Sequence, residues 1–232
     1  MRILERKQIV VVGGAGGLGS AVTELLEAEG VEVIVGYRTR APQGGGVCAD
    51  LRRAEDRDRL LDSAPELYGL VVMAGHPARV GNATELEAAM RCSWESNYLG
   101  PVLLARDAAA RMRSRGAEGA IVLISSMQAV AVFENSTAYA GAKAALINAA
   151  RILAKECRGD ANIRVNVVAP GVIDAGMAQA SIAAGKYVLY FQQGNIPRYG
   201  AAADVARAVR FFLEPDNYVT GQVLTVDGGL TL

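Results

Sequence analysis

Short runs of β-branched and aliphatic residues alternate with longer stretches of helical spacing. Residues 9–12, 31–35, 70–73, 120–124, 164–168 and 222–226 read as strands. Residues 18–29, 84–113, 136–157 and 202–213 carry helical periodicity or strong Ala/Leu propensity and read as helices. Near-continuous apolar strands separated by helices predict a parallel sheet covered on both faces. The second strand candidate is followed only by residues 36–45, which include Pro42, Gly44 and Gly45, before the next apolar stretch at 46–49. A loop or single turn is expected there, since a crossover helix does not fit comfortably.

At 232 residues, 51 % of them hydrophobic, the chain fits one large α/β domain over residues 1–232. Lys plus Arg number 24 and so do Asp plus Glu, so no global field favours nucleic acid or an anionic membrane. Cys48, Cys92 and Cys157 are far apart and odd in number, which argues against a disulfide framework or a zinc cluster and for reduced thiols in a cytoplasm. His76 is the single histidine, so a His-based metal site is hard to build and no metal is expected. The longest uncharged apolar stretch, 119–133, is interrupted by Ser125, Ser126 and Gln128 and falls short of the ~20 residues a membrane helix needs. The run at 8–12 is too short for a signal-peptide core and reads as a first strand.

Chemistry begins at the first strand-to-helix junction, Val12-Gly13-Gly14-Ala15-Gly16-Gly17-Leu18-Gly19. Glycines there let a dinucleotide pyrophosphate approach free backbone amides at a helix N-terminus. The turn therefore points to a Rossmann-type doubly wound sheet. The next strand runs into Gly36-Tyr37-Arg38-Thr39-Arg40, where an NAD-preferring protein offers Asp or Glu to the ribose. A guanidinium suits a 2′-phosphate, so Arg38 predicts NADP(H); a solvated surface role remains the alternative, more so for Arg40.

Tyr139-Ala140-Gly141-Ala142-Lys143 sets Tyr and Lys four apart on one helix face. An ammonium ~4 Å from a phenol contributes ~4 kcal/mol at an effective dielectric of ~20, or about three pKa units, so Lys143 is expected to lower the Tyr139 pKa toward neutrality.

With these motifs in place the chain resembles the short-chain dehydrogenase/reductase family, nearly end to end. The resemblance assigns Gly13, Gly16, Gly17, Leu18 and Gly19 to the cofactor turn, with Val12 where Thr is usual. It assigns Asp50-Leu51 to the adenine and Ala74-Gly75 to the end of a strand motif in which Val72 and Met73 replace two asparagines. Pro170-Gly171-Val172-Ile173 matches a segment whose Ile173 backbone meets the carboxamide, and Ala175 stands where a supporting Thr is usual. Tyr139 is implied to be the general acid, with Lys143 as its modulator and ribose contact. Ser126, thirteen residues before Tyr139, is implied to orient the carbonyl, and Asn97 to hold a proton-relay water.

What this implies is an NADP(H)-dependent oxidoreductase moving a hydride between nicotinamide and a carbonyl/alcohol pair. A ketoreductase acting on a 3-oxoacyl thioester or related ketone leads. A catalytically silent NADP(H)-sensing protein and a lyase or epimerase using the same Tyr/Lys pair are the alternatives. A homo-oligomer, as a tetramer, is expected from the resemblance and from the apolar helices at 84–113 and 136–157. Residues 174–198 are expected either to form an apolar lid over substrate or to pack a helix onto the core. Arg79 and His76 are read as polar loop residues.

Overall fold

A computed structural model describes residues 4–78 and 83–232. Arg79 and the side chain of Phe191 fall outside what it describes. Seven strands, β1 (Gln8–Val12), β2 (Glu32–Tyr37), β3 (Val47–Cys48), β4 (Leu67–Val72), β5 (Gly119–Ile124), β6 (Ile163–Pro170) and β7 (Val223–Val226), form one sheet. Their spatial order is β3-β2-β1-β4-β5-β6-β7, and every neighbouring pair is parallel. The order reverses between β1 and β4, so a crevice opens at their carboxyl ends, where ligands of such sheets bind.

Alternation along each strand divides the core between the two faces. Val10 and Val12 of β1 join Leu104, Ala108, Leu146 and Leu153 from α4 (Gly100–Ser114) and α5 (Thr137–Glu156). Ile9 and Val11 point the other way, to Val22 and Leu26 of α1 (Gly17–Ala28) and Val209 and Phe212 of α8 (Ala202–Leu213). Val72 and Met73, which replace the two asparagines, pack into these apolar clusters.

The link between β2 and β3 contains no helix, as the glycines and Pro42 predict; Gly44 and Gly45 take φ of +91° and +90° there. Helix α2 (Ala54–Asp62) was not expected from the sequence, because its AEDRDRLLD pattern buries only Arg57, Leu60 and Leu61. Acidic Glu55 and Asp56 at its start and Arg59 at its end match the helix dipole. The long helix expected at 84–113 is divided into α3 (Leu86–Trp94), a π-helical turn at Glu95–Leu99 and α4. Pro101 in the first turn of α4 has no N–H, so the carbonyl of Asn97 loses the donor that a continuous α-helix would give it.

The segment at 174–198 carries two short helices, α6 (Gln179–Ala183) and α7 (Val188–Gln192). No residue of α6 is buried, and Val188 and Leu189 are largely exposed. Met177 and Tyr187 face the central cavity, which supports the lid reading over a helix packed on the core. Among the described residues no helix is long and apolar enough to cross a membrane.

Candidate active site

A cavity of about 830 Å³ opens along the carboxyl ends of the strands. Its walls bring together residues the sequence scattered over the chain: the glycine turn, Arg38, Asp50, Leu51, Ala74, Gly75, Ser126, Tyr139, Lys143, Pro170, Gly171 and Ile173. Asn97 does not line it; it is buried behind Gly75.

At one end, β1 gives way to the glycine turn. Gly13 has φ +79°, and a Cβ there would lie 3.0 Å from the Ala74 nitrogen, so any side chain would be both strained and crowded. Gly17 has no room either, since the Gly176 nitrogen would lie 2.4 Å from its Cβ and the start of the 174–198 segment rests directly on the turn. Helix α1 begins without a side-chain cap and with no acidic residue in its first turn, leaving its amides to meet an anion. Arg38, Arg40 and Arg52 stand at this end, and Arg38 is exposed. The main-chain and guanidinium donors of this end fit a dinucleotide phosphate.

Asp50 lines the cavity and is paired with a neighbouring arginine. Arg52 Nε donates to its Oδ1 at 2.9 Å and Oδ2 at 3.0 Å. The Arg52 hydrogen bonds hold the Asp50 carboxyl down at about 2, against a smaller opposing effect of burial, with Arg38 adding to the lowering. Its acceptor capacity is thus largely committed to a side chain two positions away. Arg52 was missed as a cavity residue, and the Asp50-Leu51-Arg52 run was the available signal.

At the other end, Ser126 follows β5, and Tyr139 and Lys143 rise from the first turns of α5. Ser126 Oγ accepts from the Gln128 amide at 3.2 Å and shares a hydrogen bond with the Tyr139 phenol. Lys143 Nζ donates to the Ile124 carbonyl at 2.7 Å, and Ser125 Oγ donates to the Lys143 carbonyl at 2.9 Å, so β5 and α5 are stitched together at the site. The expected lowering of Tyr139 is not what this geometry produces. Burial pushes the phenol up to about 12, with the Ser126 hydrogen bond pulling weakly the other way. Nζ turns to Ile124 and lies 5.9 Å from the Tyr139 ring centroid, and burial depresses Lys143 itself to about 8. Desolvation therefore outweighs the Coulomb attraction on which the sequence argument rested.

Asn97 spends its side chain on the loop after β4. Its Oδ1 accepts from the His76 amide at 2.8 Å, while Nδ2 donates to the His76 carbonyl and to Ser93 Oγ, both at 2.9 Å. The side-chain amide of Asn97 is thus occupied by His76 and Ser93, and Pro101 offers the Asn97 carbonyl no i+4 N–H.

Residues 13–231 match the family model described as enoyl-(acyl carrier protein) reductase. The zebrafish (Danio rerio) carbonyl reductase family member 4 is 34 % identical over 96 % of this chain and 97 % of its own length. The 3-oxoacyl-[acyl-carrier-protein] reductase MabA of Mycobacterium tuberculosis is 33 % identical, over 97 % of this chain and 92 % of its own. The chain belongs to the short-chain dehydrogenase/reductase family. Among solved structures, a short-chain type dehydrogenase/reductase from Mycobacterium ulcerans superposes with a TM-score of 0.88 at 28 % identity, covering 98 % of this chain and 90 % of that one. A putative 2-deoxy-d-gluconate 3-dehydrogenase from Agrobacterium tumefaciens with bound NADP also reaches 0.88, at 27 % identity, covering 99 % and 98 %. This short-chain dehydrogenase/reductase is therefore an oxidoreductase of the nicotinamide-dependent kind, and its parallel seven-stranded sheet is the family's fold.

Proposed function

We propose that this NADP(H)-dependent oxidoreductase is a ketoreductase whose substrate is a 3-oxoacyl thioester or a related ketone. The observation that carries the reading is the convergence of Ser126, Tyr139 and Lys143 on the cavity that also holds the glycine turn and Arg38. Names of relatives add support, since several are 3-oxoacyl-[acyl-carrier-protein] reductases. The glycine turn and the α1 N-terminus would hold the pyrophosphate, and Arg38 the 2′-phosphate. When bound, NADPH supplies the hydride.

The chain's own part is to place and protonate the carbonyl. A phenol pushed up to about 12 is fully protonated at neutral pH, the form that a proton donor to a nascent alkoxide needs. Ser126 holds the carbonyl oxygen beside that phenol. Lys143, anchored on Ile124, stands one helical turn from Tyr139 as modulator and ribose contact, and the Asn97 carbonyl is the relay's anchor. Both Tyr139 and Lys143 are present and oriented to the cavity, so nothing favours a silent sensor. Residues 1–232 act in this reading as one cofactor-binding domain.

Purified protein with NADPH and a panel of ketones tests this by nicotinamide absorbance. Net NADPH consumption with at least one ketone is expected; cofactor binding without consumption across ketones and alcohols would overturn it in favour of a non-redox role. We also propose a homotetramer in the cytoplasm. Leu86, Met90, Trp94, Leu99 and Ile152 stand 39–49 % exposed on α3, the π turn and α5, where helix pairing across a twofold axis would cover them. The free thiols Cys48, Cys92 and Cys157 suit a reducing compartment.

A further inference from the structure

His76 lies between the Asn97 clamp and the cavity wall. Its backbone is held at both polar atoms by Asn97. Its ring then turns forward, and Nδ1 accepts the Ala78 N–H at 3.1 Å. An imidazole nitrogen that accepts carries no proton, so the neutral ring keeps its proton on Nε2. Ala78 is held at φ +47°, a left-handed conformation disfavoured for any residue with a Cβ, and is 6 % exposed. Pro77 between them has a fixed φ and biases His76 toward extended backbone.

Pro77 and Ala78 both line the cavity, together with Gly75 and Ser96. A Cβ on Gly75 would lie 2.9 Å from Asn97 Oδ1 and 3.5 Å from Lys143 Nζ, so this loop borders the catalytic end. The hydrogen bond from residue i+2 to the side chain of residue i is the pattern Asn and Asp make in Asx turns. Here a histidine ring makes it.

We propose that His76 is a positioning residue that sets the substrate wall of the cavity, holding Ala78 in its left-handed conformation through a neutral Nδ1 acceptor fixed by Asn97. His76 touches no reacting atom in this account. The inference rests on the ketoreductase reading for its kinetic effect but not for its structural one.

The test compares His76→Ala, which removes the acceptor, with His76→Asn, which restores one of Asx-turn reach. Amide hydrogen exchange at Ala78 and steady-state ketone reduction are measured on both and on wild type. His76→Ala should speed Ala78 exchange about fivefold to tenfold and raise KM for the ketone by a similar factor, as expected for one lost hydrogen bond, with kcat within about twofold. His76→Asn should return both toward wild type. If His76→Ala fails to fold, His76→Leu keeps volume without an acceptor and takes its place. Unchanged Ala78 exchange in the acceptor-less variant, or an Asn variant as impaired as the Ala one, overturns the proposal. Exchange is independent of turnover, so an enzyme that reduces no ketone defeats the ketoreductase reading while leaving the His76 contact separately decided.

Discussion

At the β2–β3 end of the cavity, charge is set by neighbours at the surface: Arg38 is exposed, and Arg52 holds the Asp50 carboxyl at about 2. At the β5–α5 end it is set by burial, which moves Tyr139 up to about 12 and Lys143 down to about 8, both toward their neutral forms. Exposed ion pairs are screened and individually weak, so the first end recognises by number and placement of cations. At the second end the ionisable groups are pulled back from solvent, so each responds strongly to anything that adds or removes a charge beside it. Recognition and chemistry thus occupy one cavity under opposite electrostatic regimes.

The largest thermodynamic consequence belongs to the β5–α5 end. Lys143 is depressed from 10.5 to about 8 in the folded chain, so between those values the unfolded chain binds more protons than the folded one. Stability should therefore rise as pH climbs from about 8 toward 10.5, because the cost of a buried ammonium is relieved, by an amount on the order of 3 kcal/mol. Tyr139 acts oppositely but later: its raised pKa lets stability fall only as pH passes from 10 toward 12. Urea midpoints of wild type and Lys143→Met between pH 7 and about 10 read this out. A Lys143→Met curve with the same slope as wild type would remove the claimed contrast between the ends.

Next in size is Arg38→Ala at the exposed end. It should weaken NADPH by about 1.5–3 kcal/mol while leaving NADH binding nearly unchanged, since only the 2′-phosphate has something to lose. Equal losses in fluorescence titrations of the two cofactors would show that Arg38 supports the loop and does not read the phosphate. The smallest effect is expected for Asp50→Asn. Its pair with Arg52 sits at the surface, so thermal unfolding at neutral pH should change by about 1 kcal/mol or less, and the difference from wild type should vanish as pH falls toward 2. A loss several times larger would mean that this end also depends on buried charge.

The same contrast explains what the sequence made legible. Residues 9–12, 120–124 and 164–168 announced strands because the sheet is buried on both faces there, and the glycine turn announced itself because side chains at Gly13 and Gly17 would have no room. Ser126, Tyr139 and Lys143 followed from spacing and resemblance. Helix α2 was hidden by its charged face, and the π turn by a helical pattern that continues through Pro101. Pairwise spacing also gave the wrong sign for Tyr139, since it counts the neighbouring ammonium and not the water lost on burial. The commitment of Asp50 to Arg52 and of Asn97 to His76 depends on side-chain directions that no spacing rule contains.

The role proposed for Tyr139 is to deliver the proton in an NADPH-dependent ketone reduction. Tyr139→Phe removes one oxygen and keeps the ring, the helix and the Lys143 anchor on Ile124. With the best ketone of the panel, its turnover number and its NADPH dissociation constant are measured on the same preparation. A fall in turnover of about 10²- to 10⁴-fold with near-wild-type NADPH affinity is the expected result. A variant that reduces the ketone at near-wild-type rate would refute that role and leave Tyr139 a structural residue of α5.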